Sequence, residues 1–304
     1  MSLENIRVHA PTAVVFLCGG KTDGELESPL TLRDAFHRIA KLGALPGYEI
    51  VLAELATPLT SEGGYQDLLS FESDIAQVVA LILLFAESPG SLAELGAFAA
   101  LKTVAPRLMA VIDNVYYSQS SFIKNGPIAF LEQVHGDEWV LVLDRKEVGL
   151  DEEGRLVKLN SKALSQSLLP EIKKRLSARR KWEKIDSDND GHLILLITGL
   201  CQEYGALTLT EIKIMLSLLG QNDIRLQNFL YCAELLKWIV KIKKGNHSYY
   251  VATVGDFALD YKLDAAVVKD RIRWRSDIRS HWATLDRGRL KAIADVRAAL
   301  ESVS

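Results

Sequence analysis

Leu81-Ile-Leu-Leu-Phe85-Ala-Glu-Ser-Pro-Gly-Ser-Leu-Ala-Glu-Leu-Gly-Ala-Phe98 is the stretch on which the fold turns. Its first five residues are apolar without alternation, which marks a strand buried on both faces. The polar run from Glu87 to Ser91 stops that strand, and from Ser91 onward apolar residues return at helical spacing. Strand, short loop and helix are the repeating unit of a parallel α/β sheet. The unit recurs on both sides. Upstream, Ala13-Val-Val-Phe-Leu17 ends at Cys18-Gly19-Gly20, residues 30–42 have helical spacing closed by Gly43 and Pro46-Gly47, Tyr48-Glu-Ile-Val-Leu52 is a second strand, and residues 68–79 are helical. Downstream, a helix over residues 91–104 stops before Pro106, and Leu108-Met-Ala-Val-Ile112 and Trp139-Val-Leu-Val-Leu143 supply two more strands. The expectation is an α/β fold, a Rossmann-like parallel sheet covered by helices, over residues 1–150. Such sheets keep their sites beyond the carboxyl ends of the strands. Those ends are Gly19-Gly20, Glu87 to Ser91, and Asp113-Asn114.

Beyond residue 150 the pattern changes. Residues 151–154 are a polar turn, and residues 161–184 read as one long helix ending in Lys173, Lys174, Arg175, Arg179, Arg180 and Lys181. Asp186-Ser-Asp-Asn-Asp-Gly191 opens like a calcium-binding EF-hand loop, but the twelfth position is Ile197, which offers no ligand oxygen, so the run reads as a linker. Three helical segments (192–204, 208–219 and 223–238) precede two strands over residues 239–251 that turn at Lys244-Gly245-Asn246. That is the order of a winged helix. The expected organisation is a helical linker at 151–190 and a mostly helical winged-helix domain at 191–304, with an arginine-rich tail carrying Arg271, Arg273, Arg275 and Arg279.

Composition narrows the classes. A net charge of −3 gives no global field for nucleic acid, so any such contact is local. The apolar runs are too short to span a bilayer, and residues 1–11 lack the basic and apolar halves of a secretory leader. Cys18, Cys201 and Cys232 have neither disulfide nor metal spacing, and the histidines are dispersed. No metal and no membrane are expected, and a cytoplasmic location with reduced thiols is.

Ser91 and Glu94 have the spacing of a capping box, Ser91 as N-cap and Glu94 at N3. Three features point beyond it: the strand-end position, Gly90 where a ligand can approach the backbone, and Gly96-Ala97, which keep the helix slim at a cost in propensity. The motif Ser91-Leu-Ala-Glu94-Leu-Gly96 resembles the nucleoside 2-deoxyribosyltransferases, whose loop places a nucleophilic Glu before a hydrophobic residue and Gly. A closer resemblance is to retron-associated bacterial defence effectors, in which such a domain precedes a winged-helix DNA-binding domain. Four pieces match them in order: Phe16-Leu-Cys-Gly-Gly20; Glu72 within Ser70-Phe-Glu72; Glu87-Ser-Pro-Gly-Ser91 with Glu94-Leu-Gly-Ala-Phe98; and Ser121-Phe-Ile-Lys-Asn-Gly-Pro127 after Asp113.

The resemblance implies that Glu94 is the nucleophile, that Glu72 stands for an acidic residue near the base, that Gly19 and Gly20 face the nucleoside, and that Ser88 and Ser91 surround the sugar. Gly90, Asp113 and Asn125 complete the candidate substrate-binding set. Each has a plainer alternative: Glu72 as a solvated helix carboxylate, Asp113 as a turn residue after a strand, Asn125 as turn chemistry before Gly126-Pro127. The transferases carry Asp where this chain has Ala80, read as structural because Ala80 enters a buried strand. No counterpart is found for the residues they borrow from a neighbouring subunit. The resemblance further implies a retron reverse transcriptase and its branched DNA–RNA product (msDNA) as partners, and a homodimer or larger assembly.

A carboxylate on one face of a sugar stabilises the oxocarbenium-like transition state of N-glycosidic cleavage and traps C1′. A neutral nucleoside then needs an acid for the departing base, for which Glu72 or Asp113 is available. The nicotinamide of NAD⁺ leaves neutral and needs none. NAD⁺ is therefore the expected substrate, ahead of nucleotide base removal, and no separate cofactor is expected. Two other readings remain: a salvage nucleoside 2-deoxyribosyltransferase, and a nucleotide-sensing DNA-binding regulator, in which Glu94 would have no purpose. A phosphoribohydrolase loop, P-G-G-x-G-T-x-x-E, fits poorly, since the second glycine and the G-T pair are missing. For nucleic acid, the recognition helix offers Arg225 and Gln227, and the wing offers Lys241, Lys243, Lys244 and His247 to phosphates.

Overall fold

The computed structural model describes residues 3–55, 59, 63–177, 182–222, 224–253, 256–262 and 270–302. In chain order its elements are β1 (Ile6–Val8), β2 (Ala13–Cys18), α1 (Leu32–Ile39), β3 (Tyr48–Leu52), α2 (Leu68–Ala76), β4 (Leu81–Phe85), α3 (Pro89–Ala100), β5 (Leu108–Asp113), α4 (Asn114–Ser118), α5 (Ala129–His135), β6 (Val140–Leu143), α6 (Arg145–Val148) and α7 (Ser161–Ser177). There follow β7 (Glu183–Lys184), α8 (Asp190–Tyr204), β8 (Ala206–Leu207), α9 (Leu209–Leu218), α10 (Leu226–Leu235), β9 (Ile239–Lys244), β10 (His247–Ala252), β11 (Leu259–Tyr261), α11 (Arg271–Leu285) and α12 (Arg287–Glu301).

Packing divides the chain into two units, residues 13–56 with 79–179, and residues 1–12 with 57–78 and 180–304. These bounds differ from a serial split at 150 and 190. The reason on the sheet side is α7: its Leu164, Leu168, Ile172 and Leu176 recur every fourth residue and bury against the sheet, so the expected linker helix is part of that unit's core.

The sheet unit has five parallel strands in the order β3-β2-β4-β5-β6, with Val15 opposite Leu81, Leu83 opposite Met109 and Val111 opposite Leu141. Every residue of β2, β4 and β5 is buried, which is why these strands are apolar without alternation. The expected α/β sheet covered by helices is the observed one.

In the other unit α8 is buried over almost its whole length, as a helix apolar on all sides must be. Around it run α9 and α10 and the small antiparallel sheet β8-β10-β9, whose hairpin turns at Gly245 with φ +59°. Strand β1 pairs antiparallel with both β11 and β7. Helix, short strand, two helices and a hairpin is the winged-helix order anticipated for this region. Arg179, Arg180, Lys181, Asp223 and the start of the tail at 264 lie outside the described residues. No helix among the described residues is long and apolar enough to cross a membrane.

Candidate active site

Strand order reverses between β2 and β4, since β3 lies on the far side of β2 and β5 on the far side of β4. In open α/β sheets a crevice forms at that reversal, outside the carboxyl ends. Gly19-Gly20 leave β2 there, and Glu87 to Ser91 leave β4.

Local hydrogen bonds set the second loop. The N-cap of α3 is Ser88, not Ser91: Ser88 Oγ accepts from the Ser91 N–H at 3.2 Å, and Ser91 Oγ accepts from the Ser88 N–H at 2.9 Å and the Glu87 N–H at 3.1 Å. Pro89 follows at the first helical position, where its missing N–H costs nothing. The helix expected from Ser91 therefore starts earlier, and the plainer alternative for Glu94, a capping box with Ser91, is not formed. Ser91 is the N3 residue, buried and fully engaged, and Glu94 lies a turn further on. Glu94 is half-buried, and its Oε2 is enclosed without a hydrogen-bond partner. Burial pushes its carboxyl above the ordinary carboxylate value; the Arg33 charge opposes this and the Glu54 charge adds to it. An enclosed acceptor left unpaired costs about 1–3 kcal/mol, and such groups concentrate where chemistry needs them.

Three residues without an expected role complete the cluster. The Glu87 carboxylate accepts the backbone N–H groups of Leu32 at 2.9 Å, Arg33 at 3.1 Å and Gly20 at 3.2 Å. Burial is the largest influence on it and raises its pKa against the pull of those donors. Arg33, almost wholly buried, donates to the carbonyls of Leu17 at 2.6 Å and Gly20 at 2.9 Å and to the carboxylate of Glu54. Thr22 Oγ1 donates to the other Glu54 oxygen at 2.7 Å. Burial works to raise the Glu54 carboxyl, but the bonds from Thr22 and Arg33 prevail and hold it below the ordinary value. One sequence signal pointed to Arg33: it stands on the apolar side of α1, beside Leu32 and one turn before Phe36.

The glycines have their own reason. Gly19 sits at φ +144°, and a Cβ there would come within 2.9 Å of Phe85 Cβ. A Cβ on Gly20 would meet Thr31 Cγ2 at 2.8 Å and Glu87 Oε1 at 3.0 Å. The pair is thus demanded by packing across the crevice. Gly90 has no such demand; a Cβ there meets only Ser88 Oγ, at 3.9 Å.

Asp113 is the N-cap of α4. Its Oδ1 accepts from the N–H groups of Val115 at 2.9 Å and Tyr116 at 3.1 Å and from Arg145 Nε at 3.2 Å and Nη2 at 2.8 Å, all in a buried setting. It shares with Glu87 the lining of a small cavity of about 40 Å³. Asn125 is exposed, donates its N–H to Ser121 O at 2.9 Å and its amide to Ser120 Oγ at 3.3 Å, and lies in the π-helical segment Lys124–Ile128 that leads into α5, not in a turn. Glu72 is half-buried on α2, which falls in the other unit, so the two catalytic candidates belong to different units.

In that other unit the recognition-helix residues are engaged. Arg225, at the start of α10, donates to Asp74 and to Asp190, each at 2.8 Å. Gln227 lies over Gly64, and Tyr65, Phe71 and Tyr231 pack edge-on with ring centroids 5.4–6.3 Å apart. Arg225 is thus held by two carboxylates while remaining exposed, and Gln227 is exposed beside Gly64. On the wing, Lys241 and Lys243 are exposed on alternate positions of β9, whereas Lys244 pairs with Asp295 of α12. In the tail, Arg271 at 2.5 Å and Arg275 at 2.8 Å clasp the buried Glu203, while Arg273 and Arg279 are exposed.

A family model described as STM3845 retron effector protein matches residues 29–241, from the loop before α1 to the wing. The chain belongs to this retron effector family. Among curated relatives, two Escherichia coli proteins, provisionally named as the ribosyltransferase/DNA-binding proteins of retrons Ec86 and Ec73, are 34% identical over 121 residues and 33% identical over 136. Those matches cover 39% and 43% of this chain and 37% and 42% of the relatives, so the chain spans less than half the length of the curated relatives it matches. The matched span of this retron effector contains Arg33, Glu54, Glu87 and Glu94 as well as the winged-helix elements up to Lys241.

Proposed function

We propose that this retron effector cleaves an N-glycosidic bond of a nucleotide, with Glu94 as nucleophile and NAD⁺ as substrate. The observation that carries the reading is the Glu94 carboxylate: half-buried, at the strand-order reversal, with one oxygen enclosed and unpartnered. That oxygen attacks C1′ of the nicotinamide riboside. The C1′–N bond breaks, its electron pair leaves with nicotinamide, and the ring loses its positive charge. Water then attacks C1′, gives up a proton and frees the carboxylate, leaving ADP-ribose. No acid is required for the first step. This suits a cluster in which Asp113 is held by Arg145 and by helix N–H groups.

The relatives' names, ribosyltransferase and DNA-binding protein, support both halves of the proposal. In the second half, Lys241 and Lys243 meet phosphates of the retron's msDNA, and the reverse transcriptase and msDNA control the enzyme in a homodimer or larger assembly. The test is base release from NAD⁺ and from deoxynucleosides by the full chain, with and without its retron partners, beside Glu94→Gln. Nicotinamide release lost in Glu94→Gln supports the reading. Release that survives the substitution removes Glu94 from the mechanism, and release from deoxynucleosides alone favours a transferase.

A further inference from the structure

Open α/β sheets commonly hold a ligand phosphate on the N–H groups at the start of the helix after the first sheet strand. Here that helix is α1, and its first-turn donors are all spent. The Leu32 N–H goes to Glu87 Oε2 at 2.9 Å, the Arg33 N–H to Glu87 Oε1 at 3.1 Å, and the Asp34 N–H to Thr31 Oγ1 at 3.1 Å. Glu87 Oε1 also takes the Gly20 N–H at 3.2 Å. An internal carboxylate therefore sits where a phosphate would sit.

We propose that Glu87 is the positioning residue of the site: a built-in anion that fills the N-terminus of α1, keeps substrate phosphate off it, and fastens the Gly19-Gly20 turn to the loop that opens α3, the helix that carries Glu94. The proposal rests on the reading of Glu94 as nucleophile. Its geometry is a double anchor. The Glu87 backbone N–H is held by Ser91 Oγ at 3.1 Å, inside the cap of α3, while its side chain is held by α1 and Gly20. Both crevice loops are thereby tied to one residue. Arg33 is tied in too, through its own N–H to Glu87 and its guanidinium to the Gly20 carbonyl at 2.9 Å. Gly20 has no side chain because one would strike this carboxylate, 3.0 Å from the Cβ position. The substrate's phosphates consequently find their donors elsewhere in the crevice.

The experiment compares wild type, Glu87→Gln and Glu87→Ala in the full chain, with its retron partners where activity needs them. For NAD⁺ cleavage kcat falls on the order of 100-fold in both variants, with KM little changed, because geometry at C1′ is lost and not binding. Sodium formate, which refills the vacated position, restores part of the activity of Glu87→Ala and has no effect on wild type. Inorganic phosphate raises the Tm of Glu87→Ala and leaves that of wild type unchanged. Unaltered kcat in Glu87→Gln and Glu87→Ala overturns the proposal, as does a loss that formate does not relieve together with no phosphate effect on Tm. If Glu87→Ala does not fold, Glu87→Gln decides by its kcat at native Tm. If wild type itself releases no base, the reading of Glu94 fails, and the phosphate shift alone settles whether α1 holds an anion position filled by Glu87.

Discussion

Ser88 and Ser91 cap α3 reciprocally, each hydroxyl accepting the other's backbone N–H, at 3.2 Å and 2.9 Å. The cap is complete without Glu94. A carboxylate that neither caps its helix nor finds a partner for its enclosed oxygen contributes nothing to stability. Glu94→Gln is therefore expected to leave the urea midpoint unchanged or slightly higher, while base release falls by about 10³-fold or more. Ser91→Ala is expected to do the reverse in part, costing about 1 kcal/mol through the lost cap. A large loss of stability in Glu94→Gln would contradict this division of labour.

The pH profile follows from the same burial. The nucleophile works ionised, and burial raises the Glu94 carboxyl above its ordinary value of 4.5. Activity is thus fully present at high pH and is lost as pH falls through that raised pKa, so the acid limb of kcat/KM lies above the ordinary Glu range. Glu54 adds to the rise by like charge, and Arg33 opposes it. In Glu54→Gln the like charge is gone and Arg33 is no longer shared, so the limb moves to lower pH. A limb that moves up or stays fixed would show that Glu94 is not the titrating group.

Particular residues show what the sequence could carry. The run Leu81 to Phe85 specified a buried parallel strand because a strand covered on both faces leaves no room for a polar residue, and the register found matches that reading. The start of α3 was misplaced by one turn because S-x-x-E fits Ser91–Glu94 as well as S-x-x-S fits Ser88–Ser91. Only three-dimensional backbone angles choose between them, with Ser88 extended at φ −145°. Glu87 stayed hidden because its partners lie 54–67 residues away in sequence. The ion pair of Arg225 was not legible because its carboxylate partner Asp74 lies 151 residues away. Charge pattern alone shows a cation, not what holds it.

Asp113 separates structural from chemical duty. Its ion pair with Arg145 is buried on both sides, and it also caps α4. Asp113→Asn removes the charge and leaves Arg145 enclosed without its counterion, at a cost of about 3 kcal/mol. The expected result is a lower urea midpoint and little change in kcat/KM for the folded protein. A drop in kcat of about 100-fold at unchanged stability would instead place Asp113 on the departing base.

The nucleic-acid prediction contrasts two sets of cations. Lys241 and Lys243 are exposed on one face of the wing, whereas the Arg225 guanidinium is spent on Asp74 and Asp190. Exposed lysines that meet phosphates release counterions, so Lys241→Glu with Lys243→Glu is expected to weaken binding to single- and double-stranded DNA. The slope of log K against log salt should shrink by about 2, one unit for each lost contact. Arg225→Ala removes a partly solvated cation from the buried Asp74 and is expected to cost about 2 kcal/mol of stability, with the salt slope intact. Fluorescence anisotropy over a salt series measures both. If Arg225→Ala reduces the slope and the wing variant does not, the contact runs through the start of α10, where the exposed Arg225 exchanges its carboxylates for phosphate.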